Sequence, residues 1–135
     1  MQTILEIETD SKEDLYDITE AVAAMVEKAN ISAGMVNLYV RGATAGIMIQ
    51  ENWDHSVQND VITLLRKLIP QGVWEHDNQD SNGDSHLKAG LVGPSECIPV
   101  SDGRMLLSQW QNIFLCEFDG PRKTREIVVT VLECE

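Results

Sequence analysis

Residues 126–132 place the strongest constraint on the fold of this chain. Their sequence, Glu-Ile-Val-Val-Thr-Val-Leu, is rich in β-branched residues and carries apolar side chains at both odd and even positions. Because successive side chains of a strand point to opposite faces, a strand of this composition buries both of its faces. The segment therefore predicts a strand at the centre of a sheet or at a subunit interface.

Other strands are predicted where apolar and polar residues alternate, or where short apolar runs stand between turn residues. These segments are residues 3–9, 36–40, 47–49, 98–100, 105–107 and 113–118. The dipeptide Asp102-Gly103 stands between two of them and is typical of a two-residue hairpin turn. The resulting sheet is therefore expected to be largely antiparallel.

Two segments carry apolar residues at helical spacing. The first predicted helix spans about residues 12–30 with Ser11 near its start, and the second begins after Asp54 and stops before Pro70. A chain of this length corresponds to one domain. We therefore predict a single α+β domain over residues 1–135, with two helices packed on a largely antiparallel β-sheet.

The charge of the chain limits its partners. With 10 Lys+Arg against 22 Asp+Glu, the formal net charge is −12. Such a charge repels phosphate backbones and anionic lipid, so we expect neither nucleic acid nor a membrane as a partner. The absence of a long apolar run and of a signal-peptide pattern predicts a cytoplasmic protein, and its three cysteines are expected to be reduced thiols.

Residues 75–85 are polar throughout, which predicts a long loop. His76 lies near its start and His86 directly follows its end, and Asp77, Asp80 and Asp84 stand between the two histidines. Imidazole and carboxylate groups together suit Zn²⁺ or another divalent first-row ion. We predict that this loop lies at a cleft and that the two imidazoles converge there. The spacing leaves a solvated acidic loop open as the alternative.

Three cations adjoin glycine-containing turns, namely Lys88, Arg104 and Arg122. Cations beside exposed backbone N–H groups can bind a phosphate or carboxylate. Trp110 and Gln111 follow the predicted hairpin and are candidates to line a ligand cleft. The alternatives are that the cations only soften an acidic surface and that the indole belongs to the core.

Several segments together resemble the YjbQ-like family. The resemblance rests on Gly-Met-Val-Asn-Leu-Tyr-Val at residues 34–40, Thr-Ala-Gly at 44–46, Glu-Asn at 51–52, His-Leu-Lys at 86–88, Gly-Pro-Ser at 93–95, Trp-Gln at 110–111 and Glu-Phe-Asp-Gly-Pro-Arg at 117–122. These motifs keep one order over nearly the whole chain. The chain is therefore identified as similar to this family over nearly its full length.

The resemblance implies an α+β subunit that assembles as a homotrimer. It also implies a histidine-rich site for a divalent metal, most often zinc, and a weak secondary thiamine-phosphate synthase activity. On this basis His76, His86 and Asp84 are the expected metal ligands, and Glu51 is the expected acid/base or a further ligand. Lys88, Arg104 and Arg122, with Trp110 and Gln111, would bind the phosphorylated small molecule.

This chain departs from the family pattern at several positions, two of which bear directly on the metal site. Gly42 stands where the family commonly has a histidine, and Asp84 replaces a second one. Two functional hypotheses therefore stay open. One is a transferase of low activity that handles a phosphorylated small molecule with a metal. The other is a non-catalytic protein that binds a small ligand or metal at a degenerate site.

Overall fold

The computed structural model of residues 1–135 contains eight strands and four helices. The strands are β1 (Gln2–Thr9), β2 (Asp14–Asp17), β3 (Ala33–Val40), β4 (Ala45–Gln50), β5 (Ser95–Ser101), β6 (Arg104–Met105), β7 (Asn112–Glu117) and β8 (Arg122–Glu133). The helices are α1 (Thr19–Ala29), α2 (Ser56–Leu68), α3 (Asp77–Asp80) and α4 (Gly83–Val92). None of the four helices has the length and apolar character needed to cross a membrane.

The strands form two antiparallel sheets. The larger has the order β1-β8-β3-β5-β6 and the smaller has the order β2-β7-β4. Strand β8 lies inside the larger sheet, where Ile127 is opposite Leu5 of β1 and Val40 of β3. The prediction that residues 126–132 form a central strand is therefore confirmed, as is the α+β single-domain fold.

Strand β7 separates two hydrophobic clusters, because its alternate side chains point to opposite faces. Ile113 and Leu115 pack into a core shared by both sheets and α1. Phe114 and Cys116 pack on the other face of the smaller sheet, which α2 and α4 cover. Burial raises the pKa of the Cys116 thiol to about 12, so this thiol stays protonated. Helix α4 thus packs against the smaller sheet.

The predicted helix over residues 12–30 is wrong in its first part. Residues 14–17 form β2, which pairs with β7, and α1 starts only at Thr19. Ser11 is not a helix cap, since its backbone N–H donates to the hydroxyl of Tyr16 over 3.1 Å. The N-cap residue of α1 is Ile18, which makes no side-chain cap, and Oδ1 of the preceding Asp17 accepts from the backbone N–H of Thr19 over 2.9 Å.

The predicted loop over residues 75–85 is also wrong in part. It contains α3 and the first turn of α4, and α4 continues through residues that the sequence indicated as β-structure. The buried side of α4 includes Asp84, Ser85 and Lys88 as well as Ala89. Because most of that buried side is polar, no apolar periodicity marks this helix in the sequence. By contrast, the Asp102-Gly103 turn is confirmed, with φ values of 52° and 73°.

The close approach of β3 and β8 gives a test of this topology. A Cβ at Gly34 would overlap the backbone carbonyl of Leu132 and would lie 2.9 Å from Cδ1 of Ile31. We expect Gly34→Ala to lower the free energy of unfolding by about 1–3 kcal/mol, because two central strands must separate. Urea denaturation measures this loss.

Gly90→Ala is the matched control. A Cβ at Gly90 meets nothing within 4 Å, and the residue lies in α4. Alanine in a helix is more stable than glycine by about 0.5–1 kcal/mol, so this variant should gain stability. A Gly34→Ala protein as stable as the wild type would contradict the strand pairing described here.

Candidate functional site

A cleft of about 440 Å³ lies at the junction between α3 and α4. It is lined by Trp74, Glu75, His76, Gly83, His86 and Leu87. Asp77, the first residue of α3, connects the segment before α3 to the start of α4. Asp77 accepts from the backbone N–H of Gly83 over 2.8 Å and from that of Trp74 over 3.1 Å. These two hydrogen bonds hold the pKa of Asp77 below its usual range, so it stays ionised and keeps both segments in place.

The two predicted histidines meet in this cleft. The ring centres of His76 and His86 are 4.8 Å apart, and the ring planes are nearly perpendicular at 89°. Their predicted convergence is therefore confirmed. Two imidazoles that bind one metal ion at about 2.0–2.1 Å have their ring centres about 5 Å apart, so the observed spacing is compatible with a shared ion.

A backbone carbonyl fixes the role of one imidazole. Nδ1 of His86 lies 3.2 Å from the carbonyl oxygen of Ala43. Because a carbonyl oxygen only accepts, Nδ1 must carry the proton, and the lone pair of neutral His86 is on Nε2. Metal-binding histidines are commonly held in this way, with one ring nitrogen donating to a carbonyl or carboxylate.

No third ligand joins the two imidazoles. The chain contains no group of three His, Cys, Asp or Glu side chains arranged to hold a metal ion. The two imidazoles of one chain therefore supply two of the four ligands that zinc usually has. The other positions would be left for water or for a ligand's own oxygen atoms.

Asp84 is not directed at this pair of histidines. Its Oδ2 lies 2.9 Å from Nζ of Lys88, one helical turn further along α4. The same ammonium binds Oε2 of Glu13 over 2.8 Å, and Glu13 also binds Nε of Arg66 over 3.0 Å. These four residues form a cluster that we call the α4 ion cluster.

The α4 ion cluster corrects the predicted role of Lys88. Only 1% of this side chain is exposed, and its charge is already balanced by two carboxylates. It is therefore unavailable to a phosphate ligand, and it anchors α4 instead. Oδ1 of Asp84 is also buried and has no hydrogen-bond partner. Because this carboxylate makes so few bonds, losing the one from Oδ2 to Lys88 would be costly.

Two further polar contacts hold the start of α4. Ser85 is fully buried and donates from Oγ to the carbonyl of Phe118 over 2.6 Å. Asn82 donates from Nδ2 to Oδ2 of Asp119 over 3.0 Å. Together with the ion cluster, these contacts fix the rotation of the helix about its axis. His86 is thereby turned toward the cleft rather than toward the core.

A second buried ion pair lies next to the loop that binds His86. Glu117 is fully buried and receives two hydrogen bonds from the guanidinium of Arg125 and one from the Thr9 hydroxyl, over 2.7 Å. Burial alone would raise the pKa of Glu117, but these hydrogen bonds outweigh it and hold the pKa below its usual range. Arg125 also donates to Oγ1 of Thr44 over 2.8 Å. Nothing in the local sequence pattern distinguishes this pair from surface charges.

The other predicted phosphate-binding residues do not line the histidine cleft. Arg122 donates to Oδ2 of Asp119 over 3.2 Å and also to its backbone carbonyl. Arg104 lines a separate cleft of about 530 Å³ near α1, together with Glu27 and Asp102. Of the predicted site residues, only His76 and His86 line this cleft.

The remaining predicted site residues lie at other places. Trp110 is half exposed rather than in the core, and its ring centre is 5.4 Å from that of Trp53 in an edge-to-face contact. Gln111 accepts from the backbone N–H of Ser108 over 3.0 Å. Glu51 has a buried Oε2 without a hydrogen-bond partner. None of these residues lines the histidine cleft.

The α4 ion cluster predicts a large effect of one substitution. We expect Lys88→Met to lower the free energy of unfolding by about 3–5 kcal/mol, because it leaves Asp84 buried without its counter-charge. Arg66→Met is the control, since Arg66 contacts the same cluster from an exposed position and should cost about 1 kcal/mol or less. Chemical denaturation of both variants measures the difference. Equal losses in the two variants would show that Lys88 is not the anchor.

Comparison with known proteins places the chain among relatives of nearly equal length. It matches the family model described as UPF0047 protein YjbQ-like over residues 3–134. A UPF0047 protein of Methanocaldococcus jannaschii is 42% identical over 127 residues, which cover 94% of this chain and 91% of that protein. The UPF0047 protein YugU of Bacillus subtilis is 37% identical over 125 residues, which cover 90% and 92% of the respective chains.

Solved structures share the fold described above. A YbjQ-like protein of unknown function from Sulfolobus solfataricus matches with a TM-score of 0.95 and 33% identity, over 99% of this chain and 97% of that one. A hypothetical protein from Aeropyrum pernix K1 matches with a TM-score of 0.93 and 29% identity, over 99% of both chains. With a family model that spans nearly all its residues and relatives that share both sequence and fold, this chain belongs to the UPF0047 family of YjbQ-like proteins.

Proposed function

We propose that this protein is a metal-assisted transferase that acts on a phosphorylated small molecule, with a chemistry of the thiamine-phosphate synthase type. Such a reaction transfers the pyrimidine group of a pyrimidine diphosphate to the nitrogen of a thiazole phosphate and releases pyrophosphate. The observation that carries the proposal is the pair of imidazoles of His76 and His86, 4.8 Å apart in an open cleft. The resemblance of the chain to YjbQ-like proteins supplies the reaction type.

His76 and His86 would hold the metal, with zinc as the expected ion. A bound divalent ion would supply positive charge for phosphate oxygens at the positions that the protein leaves open. The chain contributes orientation, because the carbonyl of Ala43 keeps the proton of His86 on Nδ1 and leaves Nε2 as the electron-pair donor. Asp84 and Lys88 do not contact the cleft, but their buried ion pair holds α4, and with it His86, in place.

The cleft also has walls suited to a flat heteroaromatic ring. Trp74 and Leu87 are its two hydrophobic lining residues. The Trp74 indole is held in place because Nε1 donates to the carbonyl of Pro70 over 2.6 Å. A fixed indole beside an aliphatic side chain commonly forms one side of a site for an aromatic ligand.

A specific observation supports the second hypothesis, a non-catalytic protein that binds a small ligand or a metal. The structure offers no third metal ligand, and Asp84 is committed to Lys88. Gly42 contributes no side chain at the position where a family histidine would stand. Such a protein would form no thiamine phosphate, whether or not it binds zinc.

Zinc titration by calorimetry tests the proposed metal ligands. We expect one zinc ion per chain for the wild type at pH 7.5 and none for His86→Ala, because one of the two protein ligands is lost. At pH 5.5 the affinity of the wild type should fall, since imidazole must be in its basic form to bind a metal. His55→Ala is the matched control and should bind like the wild type, because His55 lies at the start of α2, outside the cleft.

Identical isotherms for wild type and His86→Ala at both pH values would contradict the metal site. An assay for thiamine phosphate then separates the two hypotheses. Product that forms with zinc-loaded wild type but not with His86→Ala supports the transferase. This assay is run with protein at a concentration near that of the substrate. Zinc binding without product under these conditions would favour the non-catalytic protein.

We also propose that the chain assembles as a homotrimer through the outer face of its larger sheet. Ile4, Met35, Tyr39 and Leu132 are exposed on this face. Met35 is directly opposite Leu132 on the neighbouring strand, so these two exposed side chains are adjacent. Contiguous exposed apolar side chains on a sheet are typical of an interface between subunits.

Static light scattering tests the assembly. We expect a mass of about 45 kDa at low micromolar concentration, three times the 15.1 kDa of one chain. Met35→Glu should shift the mass toward that of one subunit, because it places a charge in the proposed contact. Val73→Glu is the control at another exposed apolar position and should leave the mass unchanged. A wild-type mass near that of one chain would contradict the proposal.

A further inference from the structure

We propose that Arg125 forms a phosphate-binding position beside Gly42, next to the histidine cleft. This inference deepens the proposed function, since it names the group that would bind the phosphate of the substrate. Sequence reasoning assigned that task to Lys88, Arg104 and Arg122. The structure places Lys88 in a buried ion cluster and the other two outside the cleft.

The guanidinium of Arg125 is buried and oriented by the protein. Only 5% of the residue is exposed. Nε binds Oε1 of Glu117 over 3.0 Å, and Nη2 binds both the Glu117 carboxylate and Oγ1 of Thr44. Two of the three nitrogens are therefore committed, and the plane of the group cannot rotate. Nη1 is the nitrogen that has no hydrogen-bond partner in the protein.

Nη1 points to a space that exists only because residue 42 is glycine. An ideal Cβ on Gly42 would lie 2.9 Å from Nη1, and the only other atom within 4 Å is Cζ of the same guanidinium. Gly42 itself is exposed, so this nitrogen is reached from the surface of the loop. Donors held in a fixed direction at an accessible point are the usual means of binding an oxyanion.

The same loop connects this nitrogen to the histidines. Ala43, the next residue, provides the carbonyl that binds Nδ1 of His86. Thr44 then binds Nη2 of Arg125 through its hydroxyl. Residues 42–44 therefore contact both the arginine and the histidine, which places an oxyanion donor beside the cleft proposed to hold the metal.

Glu117 balances the charge of Arg125, which determines the kind of recognition. The pair as a whole is neutral, so long-range attraction of an anion by this position is weak. Binding must depend on the two N–H groups of Nη1 and on their direction. A phosphate, with several acceptor oxygens, can bind them and still present other oxygens toward the cleft.

Phosphate binding to chelator-treated protein tests the inference without any metal. Inorganic phosphate is titrated into wild type, Gly42→Ala and Gly90→Ala, and binding is followed by ³¹P NMR. We expect Gly42→Ala to weaken phosphate binding at least about tenfold, because the new methyl group occupies the space in front of Nη1. The φ angle of Gly42 is not in the left-handed region, so alanine fits the backbone there. Gly90→Ala should bind phosphate like the wild type.

A second readout uses only the wild-type protein. The side-chain ¹⁵N resonances of Arg125 should shift on addition of phosphate. Those of Arg66, an exposed arginine whose Nε binds Glu13 in the α4 ion cluster, should not. Equal phosphate affinity in wild type and Gly42→Ala, or no shift at Arg125, would overturn the inference. Zinc binding is measured separately, so the loss of either site can be recognised while the other persists.

Discussion

The ion pairs between Lys88, Asp84 and Glu13 are the interaction on which the candidate site depends. Helix α4 buries polar and charged side chains against the smaller sheet, so apolar packing alone does not hold it. The buried ammonium instead connects the helix to the segment that leads into β2. An intact buried ion pair of this kind adds little to stability, but removing one partner is costly because the other charge stays buried. The position of Lys88 relative to the two carboxylates is therefore well defined. That geometry decides which way His86 points.

A second buried pair, Glu117 with Arg125, fixes the other side of the site. It joins β7 to β8 and holds the loop at Thr44, whose neighbour Ala43 binds His86. The two ion pairs thus act on the same imidazole from different elements. One sets the rotation of the helix, and the other sets the position of the carbonyl that selects the tautomer. An open cleft lined by two fixed imidazoles follows from these constraints.

The features that could be predicted from the sequence are those with a local chemical signature. The central strand over residues 126–132 follows from β-branched side chains at consecutive positions, and the Asp102-Gly103 turn follows from residues that accept positive φ. The convergence of His76 and His86 was predictable because both flank one polar segment. Strand β2 was missed because Leu15, Ile18 and Val22 also satisfy helical spacing, although Leu15 belongs to a different cluster from the other two.

The roles of charged residues could not be predicted in the same way. A lysine two residues before a glycine has the same local sequence whether it is exposed or buried, and only the fold shows that Lys88 is paired. The same holds for Arg125, whose partners lie on β7 and in the loop before β4. Burial of a charge depends on residues distant in the chain, so neither local spacing nor composition reports it.

Imidazole nitrogen NMR tests the arrangement of the site most directly. The chain has three histidines, and His55 lies outside the cleft as an internal reference. Long-range ¹H–¹⁵N spectra at neutral pH should show His86 with its proton on Nδ1, and zinc should shift Nε2 of His86 together with one ring nitrogen of His76. A proton on Nε2 of His86, or a zinc-induced shift at His86 without one at His76, would contradict a two-imidazole site fixed by the carbonyl of Ala43.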